Sequence, residues 1–342
     1  MNYFSASHSS DKAAEQEQIE QVGIAPQLKF REKVKRHCAR WWWLHALVFC
    51  AGTLIVTLCL IYVGFPRIAQ SGVDASTMEF TSLQFLDPAP DAITITQSAI
   101  LHNGDIFTPT LDAFNASLYL VTNGTFGPAP IATLTIPSVH VLHPTSSVNI
   151  TQQRVKISDL DELTDYAIQV LARENVTTAL TGEARLHEGR LPIINIHYNS
   201  STTYKTLNGL KGFNIMGVKL NLTALAGEPN LYGSLIIPNP SCLTVALGNV
   251  TLSLSTETSG VVGNATLSNL TISPGSNIFP MVSILNETKA LASVDKNGLM
   301  NVLITGTSVV YNNQHITYYE RALANNILSL QLNVTQILAD SA

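Results

Sequence analysis

Four carboxylates lying close together, Asp159, Asp161, Glu162 and Asp165, form the densest set of groups in this chain that could do chemistry. Paired acids could serve glycoside hydrolysis as proton donor and base. The same residues open an apolar-periodic stretch, Ser158 to Leu171, in which Leu160, Leu163, Ala167, Val170 and Leu171 share one side of a helix. Ser158 to Glu162 suits a cap and an acidic first turn, which stabilises a helix dipole without catalysis. The second reading is preferred. His140 and His143, three apart on an expected strand, face opposite sides and make a poor metal pair. His187-Glu188 lacks the second histidine of a zinc motif and falls in an expected turn. No nucleophile elbow, P-loop, Cys-x-x-Cys pair, dinucleotide glycine pattern or Asp-x-Asp-x-Asp-Gly calcium loop occurs. The expectation is a protein that is not an enzyme, with no catalytic residue, metal or cofactor.

The element that positions everything else is the run from Trp41 to Phe65, which contains no Asp, Glu, Lys or Arg and in which His45 is the one side chain of a type that can be charged near neutral pH. About 20 apolar residues of helix cross a bilayer core of roughly 30 Å. Trp41, Trp42 and Trp43 at one end and Tyr62 near the other suit the two interfaces. The run starts after forty residues and no small-residue cleavage site follows Gly64, so it reads as an uncleaved anchor and not a signal peptide. Lys29, Arg31, Lys33, Lys35, Arg36 and Arg40 precede it, whereas only Arg67 follows before Arg154. The positive-inside rule then gives a type II single-pass protein, with the tail cytosolic and the bulk lumenal.

Eleven Asn-x-Ser/Thr glycan acceptors agree with this, at Asn115, Asn123, Asn149, Asn175, Asn199, Asn221, Asn249, Asn264, Asn269, Asn286 and Asn333, all after the span. From Asp74 to Asp340 nineteen acidic residues face eleven Lys and Arg, a net of −8. An acidic, glycosylated surface excludes nucleic acid as a partner. Cys50 and Cys59 lie in the span, and juxtamembrane Cys38 is either an unmodified thiol or a site of S-palmitoylation. Cys242 stands alone on the lumenal side, so it is buried or pairs between chains, and burial is preferred in its apolar run.

Residues 1–40 read as a disordered cytosolic tail, 41–65 as the transmembrane helix and 66–81 as a linker. Beyond that, period-two alternation dominates: Phe114, Ala116, Leu118 and Leu120 against Asn115, Ser117 and Tyr119, or Leu330, Leu332 and Val334 against Ser329, Gln331 and Asn333. Several acceptors fall on the outward side of such strands, as a bulky glycan requires. Besides the helix after Ser158, a weaker one is expected near Asn286 to Ala292. The segment 116–120 corresponds to 233–237, and 180–194 to 304–317, each of the latter a hairpin turning at His187–Gly189 or Asn312–Gln314. The fold class expected is mainly β, with two tandem β-sandwiches at 82–208 and 209–342 joined near Asn208–Phe213.

Four segments resemble a known family: Ile236-Ile-Pro-Asn-Pro-Ser241, Gly248-Asn-Val-Thr251, Asn269-Leu-Thr-Ile-Ser-Pro-Gly-Ser-Asn277 and Thr203-Tyr-Lys-Thr-Leu-Asn-Gly-Leu210. They are similar to a fungal family of single-pass membrane proteins of unknown function, whose lumenal part resembles late-embryogenesis-abundant type 2 (WHy) domains. The resemblance covers about residues 40–340, and the first half departs from it where Val121-Thr-Asn-Gly124 lacks the prolines. It implies a β-sandwich fold, no known catalytic residues, a home at the vacuolar membrane, and a role in vacuole regulation or lipid contact.

The expected function is non-enzymatic binding of a membrane-protein partner or a lipid. A lumenal or cell-wall hydrolase and a cell-surface adhesion ectodomain at the plasma membrane are the alternatives. Region 68–113 has no Lys, Arg or acceptor but carries Asp74, Glu79, Asp87, Asp91, Asp105 and Asp112, which either keep a linker solvated, the preferred reading, or form a contact surface for a basic partner.

Overall fold

The computed structural model describes residues 27–104, 107–225 and 227–341. Its contacts divide the chain into two units, 1–64 and 65–342. The first is a helix, α1 (Gln27–Cys59), followed by a π-helical turn at Leu60–Gly64. Gln27 to Arg40, expected within a disordered tail, are therefore helical, because nothing in that polar, basic stretch breaks a helix. The helix kinks at Trp41 (φ −117°, ψ 15°), where the expected span begins. Thr53 and Thr57 donate their hydroxyls to the carbonyls of Phe49 and Thr53, both at 2.8 Å, so these polar groups need no solvent. Pro66 has no N–H and its ring crowds the carbonyl four residues back, and the chain widens into the π-turn just before it. Among the described residues one helical stretch, His37–Ala75, is long and apolar enough to cross a membrane, and an 18-residue window within it has a mean hydropathy of 2.5.

The second unit opens on α2 (Phe65–Ala75) and β1 (Thr77–Leu86), so the expected linker at 66–81 is instead a helix and a strand. The polar residues that suggested a linker, Arg67, Gln70 and Asp74, share α2 with the stripe Phe65, Ala69 and Val73, which packs on the core.

One layer of the first half is antiparallel β1, β2 (Ala92–His102) and β8 (Thr145–Lys156). The other is a seven-stranded sheet. It holds β3 (Thr110–Leu111), β4 (Phe114–Thr122), β5 (Thr125–Phe126), β6 (Ala132–Ile136), β7 (Val139–His140), β9 (Asn175–His187) and β10 (Ile194–Lys205). β10, β9, β4 and β6 run side by side, so β10 and β6 are its long edges. Alternation is strict in β10: Ile196, Tyr198 and Tyr204 are buried, His197, Asn199 and Thr203 exposed. Each edge is closed by a side-chain amide acting as one peptide unit of a neighbouring strand. Gln70 of α2 does this at His197 (2.7 and 2.9 Å). Gln153 of β8 does it at Thr135, in the amide orientation that satisfies both groups (3.1 and 2.8 Å).

In the second half, β11 (Asn214–Leu220), β12 (Leu231–Asn239) and β15 (Gly275–Leu285) form one layer. β13 (Leu243–Thr256), β14 (Gly260–Ile272), β16 (Leu299–Tyr311) and β18 (Leu328–Asn333) form the other. The β14–β15 hairpin makes the corner. Its strands pair only at Gly263–Thr266 with Val282–Leu285 and splay apart toward their turn, so that β15 joins β12. Gly263 allows this, since a Cβ there would lie 2.5 Å from the Ile284 carbonyl oxygen. The second expected hairpin is shorter than foreseen. β16 turns at Asn312-Asn313 (φ 47° and 62°) into β17 (Gln314–His315), then α5 (Thr317–Asn325) interrupts and β18 resumes the pairing.

Both halves share one sheet. β13 pairs with β14 along one edge, while its other edge is divided between β16 and, in parallel, Leu83–Phe85 of β1. Over this seam lie α3 (Leu160–Ala172), from the first half, and α5, from the second, tied by Arg321 Nη1 to Asp161 Oδ1 at 3.0 Å. Tyr166 of α3 and Tyr204 of β10 share a buried hydroxyl–hydroxyl hydrogen bond of 2.8 Å. Asn208–Phe213, expected to join two sandwiches, begins with a 3₁₀ turn at Asn208–Leu210. The architecture is mainly β, two sheets in layers following an apolar helix.

Candidate functional site

The carboxylates that suggested catalysis are engaged in building α3. Asp159, and not Ser158, is the cap, its Oδ1 accepting from the amides of Asp161 and Glu162 at 3.0 Å each. Asp161 pairs with Arg321. Glu162 has its carboxyl raised by burial, then by Asp159 and Asp165. The two histidines part as expected: His140 Nδ1 meets Thr110 Oγ1 at 3.0 Å, and His143 Nδ1 meets the Asn103 carbonyl at 3.1 Å. His187 Nε2 lies 2.9 Å from Asp112 Oδ2. Among the described residues no group of three or more His, Cys, Asp or Glu could hold a metal.

Of the six carboxylates in 68–113, Asp105 lies outside the described residues. The others are spread over α2, β1, the β1–β2 loop and the β3–β4 link. Glu79 faces His102 (3.3 Å), Asp87 accepts from the Tyr311 hydroxyl (2.8 Å), and Asp112 serves His187 (2.9 Å). Cys242 is half-buried in the β12–β13 turn, burial pushes its thiol up, and its carbonyl accepts from the Leu83 amide at 3.2 Å. Cys38, Cys50 and Cys59 are exposed on α1.

Two of the four segments that carried the family resemblance are turn staples. Asn239 Oδ1 accepts from the amide and hydroxyl of Ser241, and its Nδ2 donates to the Leu243 carbonyl. Asn277 Oδ1 accepts from the Ser273 amide while Nδ2 donates to the Ser273 and Ile237 carbonyls. Asn239 pairs with Gly275, so both turns sit at one end of the β12–β15 pair.

All eleven glycan acceptors are exposed. Two cap helices: Asn286 accepts from the Lys289 amide at the start of α4 (Glu287–Leu291), and Asn333 from the Gln336 amide at the start of α6 (Val334–Ser341). None falls within β11, β12 or β15. On the outer side of that layer Met216, Tyr232, Ile278, Val282 and Ile284 are exposed.

The second half encloses the site that sequence reading missed. Its two layers separate at the end away from the seam, leaving a cavity of about 70 Å³. Leu220 and Leu231 wall it on one side, Leu254 and Met300 on the other, and Ile337 and Leu338 of α6 lie across it. Glu287 is the one lining residue that is not hydrocarbon or thioether. α6 is fastened by Val334 N–H to the Gly298 carbonyl (2.9 Å) and by the Ser341 hydroxyl, which accepts from the Leu220 amide at 2.8 Å. Leu222 and Leu291, 59% and 54% exposed, carry the lining out to the surface. A water needs roughly 10–15 Å³ and two to four polar partners, so a space with this lining holds no ordered water, and at this size it admits the end of a hydrocarbon chain and not a whole lipid tail. The sequence held one signal for it, the spacing Val334, Ile337, Leu338 after a capping asparagine.

Residues 129–254, from just before β6 almost to the end of β13, match a family described as a protein of unknown function, DUF3712. No curated protein matches the chain. Among solved structures it is similar to a protein from Archaeoglobus fulgidus, at 12% identity over 39% of this chain and 95% of that one, with a TM-score of 0.21. A DUF4785 family protein from Legionella pneumophila is 12% identical over 76% of this chain and 57% of its own, with a TM-score of 0.21. A class 5 fimbriae chaperone is 11% identical over 70% of this chain and 97% of its own, with a TM-score of 0.16. Scores this low assign neither a fold nor a function.

Proposed function

We propose that this protein is a type II single-pass glycoprotein of the vacuolar membrane whose sandwich unit binds the hydrocarbon portion of a lipid and catalyses no reaction. The apolar cavity under α6 carries the reading, because its lining offers a ligand dispersion and burial but no set of polar groups that could do chemistry. The basic flank of the span and the exposure of every acceptor support a cytosolic tail and a glycosylated lumenal bulk. The vacuolar location and kinship with late-embryogenesis-abundant type 2 domains rest on the resemblance in the 203–277 segments.

The test is to purify the full chain in nanodiscs, wash it with lipid-free nanodiscs, and extract what stays bound. A retained lipid near one per chain is expected, and Leu338→Trp, which fills the cavity from α6, should lose it. An equal yield from Leu338→Trp and the unaltered chain would sink the assignment. A second reading, a membrane-protein partner, is favoured by the apolar, acceptor-free outer side of β11, β12 and β15. Val282→Asp, outside the cavity, would abolish lumenal crosslinks to such a partner and leave retained lipid unchanged.

A further inference from the structure

We infer that the cavity selects its ligand by head-group charge, taking a single-chain amphiphile with an uncharged or cationic head and turning away one that bears an acid. This rests on the lipid reading above. The walls other than Glu287 are apolar, so they set the girth of the chain that fits and are indifferent to charge. Glu287 is fixed in place. Asn230 Nδ2 donates to its Oε1 at 3.1 Å. Asn230 is itself 7% exposed and held by a reciprocal pair with Leu285, Nδ2 to the carbonyl at 2.8 Å and the amide to Oδ1 at 2.7 Å.

No cation neutralises this carboxylate among the described ion pairs. Lys289, on the same helix, donates instead to the Val261 carbonyl at 3.4 Å. Lys219 of β11 and Asp340 of α6 are exposed and outside the lining, and Asp340 is engaged by Gln336 at 2.8 Å. An anionic head group entering beside the half-buried Glu287 thus meets one like charge, whereas an ammonium meets an opposite one.

The experiment uses the full chain in phosphatidylcholine nanodiscs at pH 7.5. Three 12-carbon probes carry a diazirine at the chain end and an amine, an alcohol or a carboxylate at the head. Crosslinked peptides are located by mass spectrometry and normalised to labelling of the Leu44–Phe65 span. The amine and alcohol should mark Ile215–Leu220 and Val334–Ser341 about tenfold more than the carboxylate does. Glu287→Gln, which keeps an acceptor for Asn230 and preserves the Asn286 glycan motif, should bring the carboxylate up to the alcohol. Equal labelling by all three probes, with no response to Glu287→Gln, overturns charge selection and leaves the lipid reading standing. Absence of labelling at both peptides with every probe overturns both. Circular dichroism checks the variant's fold, and if it misfolds, the ratio on the unaltered chain decides.

Discussion

Gln70 and His197 are joined as two strands would be: Gln70 Nε2 donates to the His197 carbonyl at 2.7 Å, and the His197 amide donates back to Gln70 Oε1 at 2.9 Å. One side chain thereby holds α2 and closes an edge of the seven-stranded sheet. Gln70→Leu should cost about 1 kcal/mol, the net worth of such bonds at a partly solvated edge. Gln70→Glu should cost more near neutral pH, since it sets a carboxylate against the His197 carbonyl and against Asp74, which now accepts from Nε2 at 2.8 Å. Urea melts of the two variants check the order; Glu melting above Leu would contradict it.

Tyr166 and Tyr204 should behave as a coupled pair. Either change to Phe leaves one buried hydroxyl short of a partner and should cost about 1–2 kcal/mol, and the double change less than the sum. Burial pushes both phenols well above their ordinary 10.0, so a spectrophotometric titration to pH 11 should leave both protonated until the fold is lost.

Glu320 ties α5 to β16. Burial alone would raise its carboxyl, but bonds from His315 Nδ1 (2.7 Å), the Val309 amide (3.0 Å) and Ser308 Oγ (3.4 Å) outweigh it and hold the group below its ordinary 4.5. A carboxyl depressed by folding stabilises fully above the unfolded value, and that contribution is lost as pH falls through the folded one. Melts from pH 7 to 3 should therefore lose stability below about 4.5, and Glu320→Gln should flatten that limb.

Gly306 is where α5 rests on β16. A Cβ at this position would overlap the Cβ of Leu323. Gly306→Val should cost about 1–3 kcal/mol or more by lifting the helix, whereas Val at exposed Thr307 should be nearly neutral. Equal melting of the two variants would contradict this packing.

The local parts of the fold were legible because local rules set them. Alternation in β4, the apolar stripe of α3 and the turn asparagines all act within a few residues of themselves. Even there the cap moved by one, from Ser158 to Asp159, since both residue types satisfy a helix start. What was hidden depends on distant partners. Nothing near Leu83 announces a parallel match with Leu243, and nothing in the β14–β15 hairpin announces that it will splay. α2 read as a linker because its apolar stripe is only three residues long. Glu287 falls within the weaker helix expected near Asn286 to Ala292, and its place beside hydrocarbon follows from layers that close around it.

α2 also has a mechanical meaning. A pull delivered from the N-terminal side enters the second unit at Phe65 and is borne first by this short helix, not by the sheets. Its grip is a single row, Phe65, Ala69 and Val73, which can yield one turn at a time, with Gln70 as a clamp partway along. Eleven residues drawn from helix to extended chain lengthen from about 16 Å to about 38 Å. The second unit thus carries a give of roughly 20 Å ahead of its sheets, and tension arriving at Phe65 is spent there before a β-strand is asked to move.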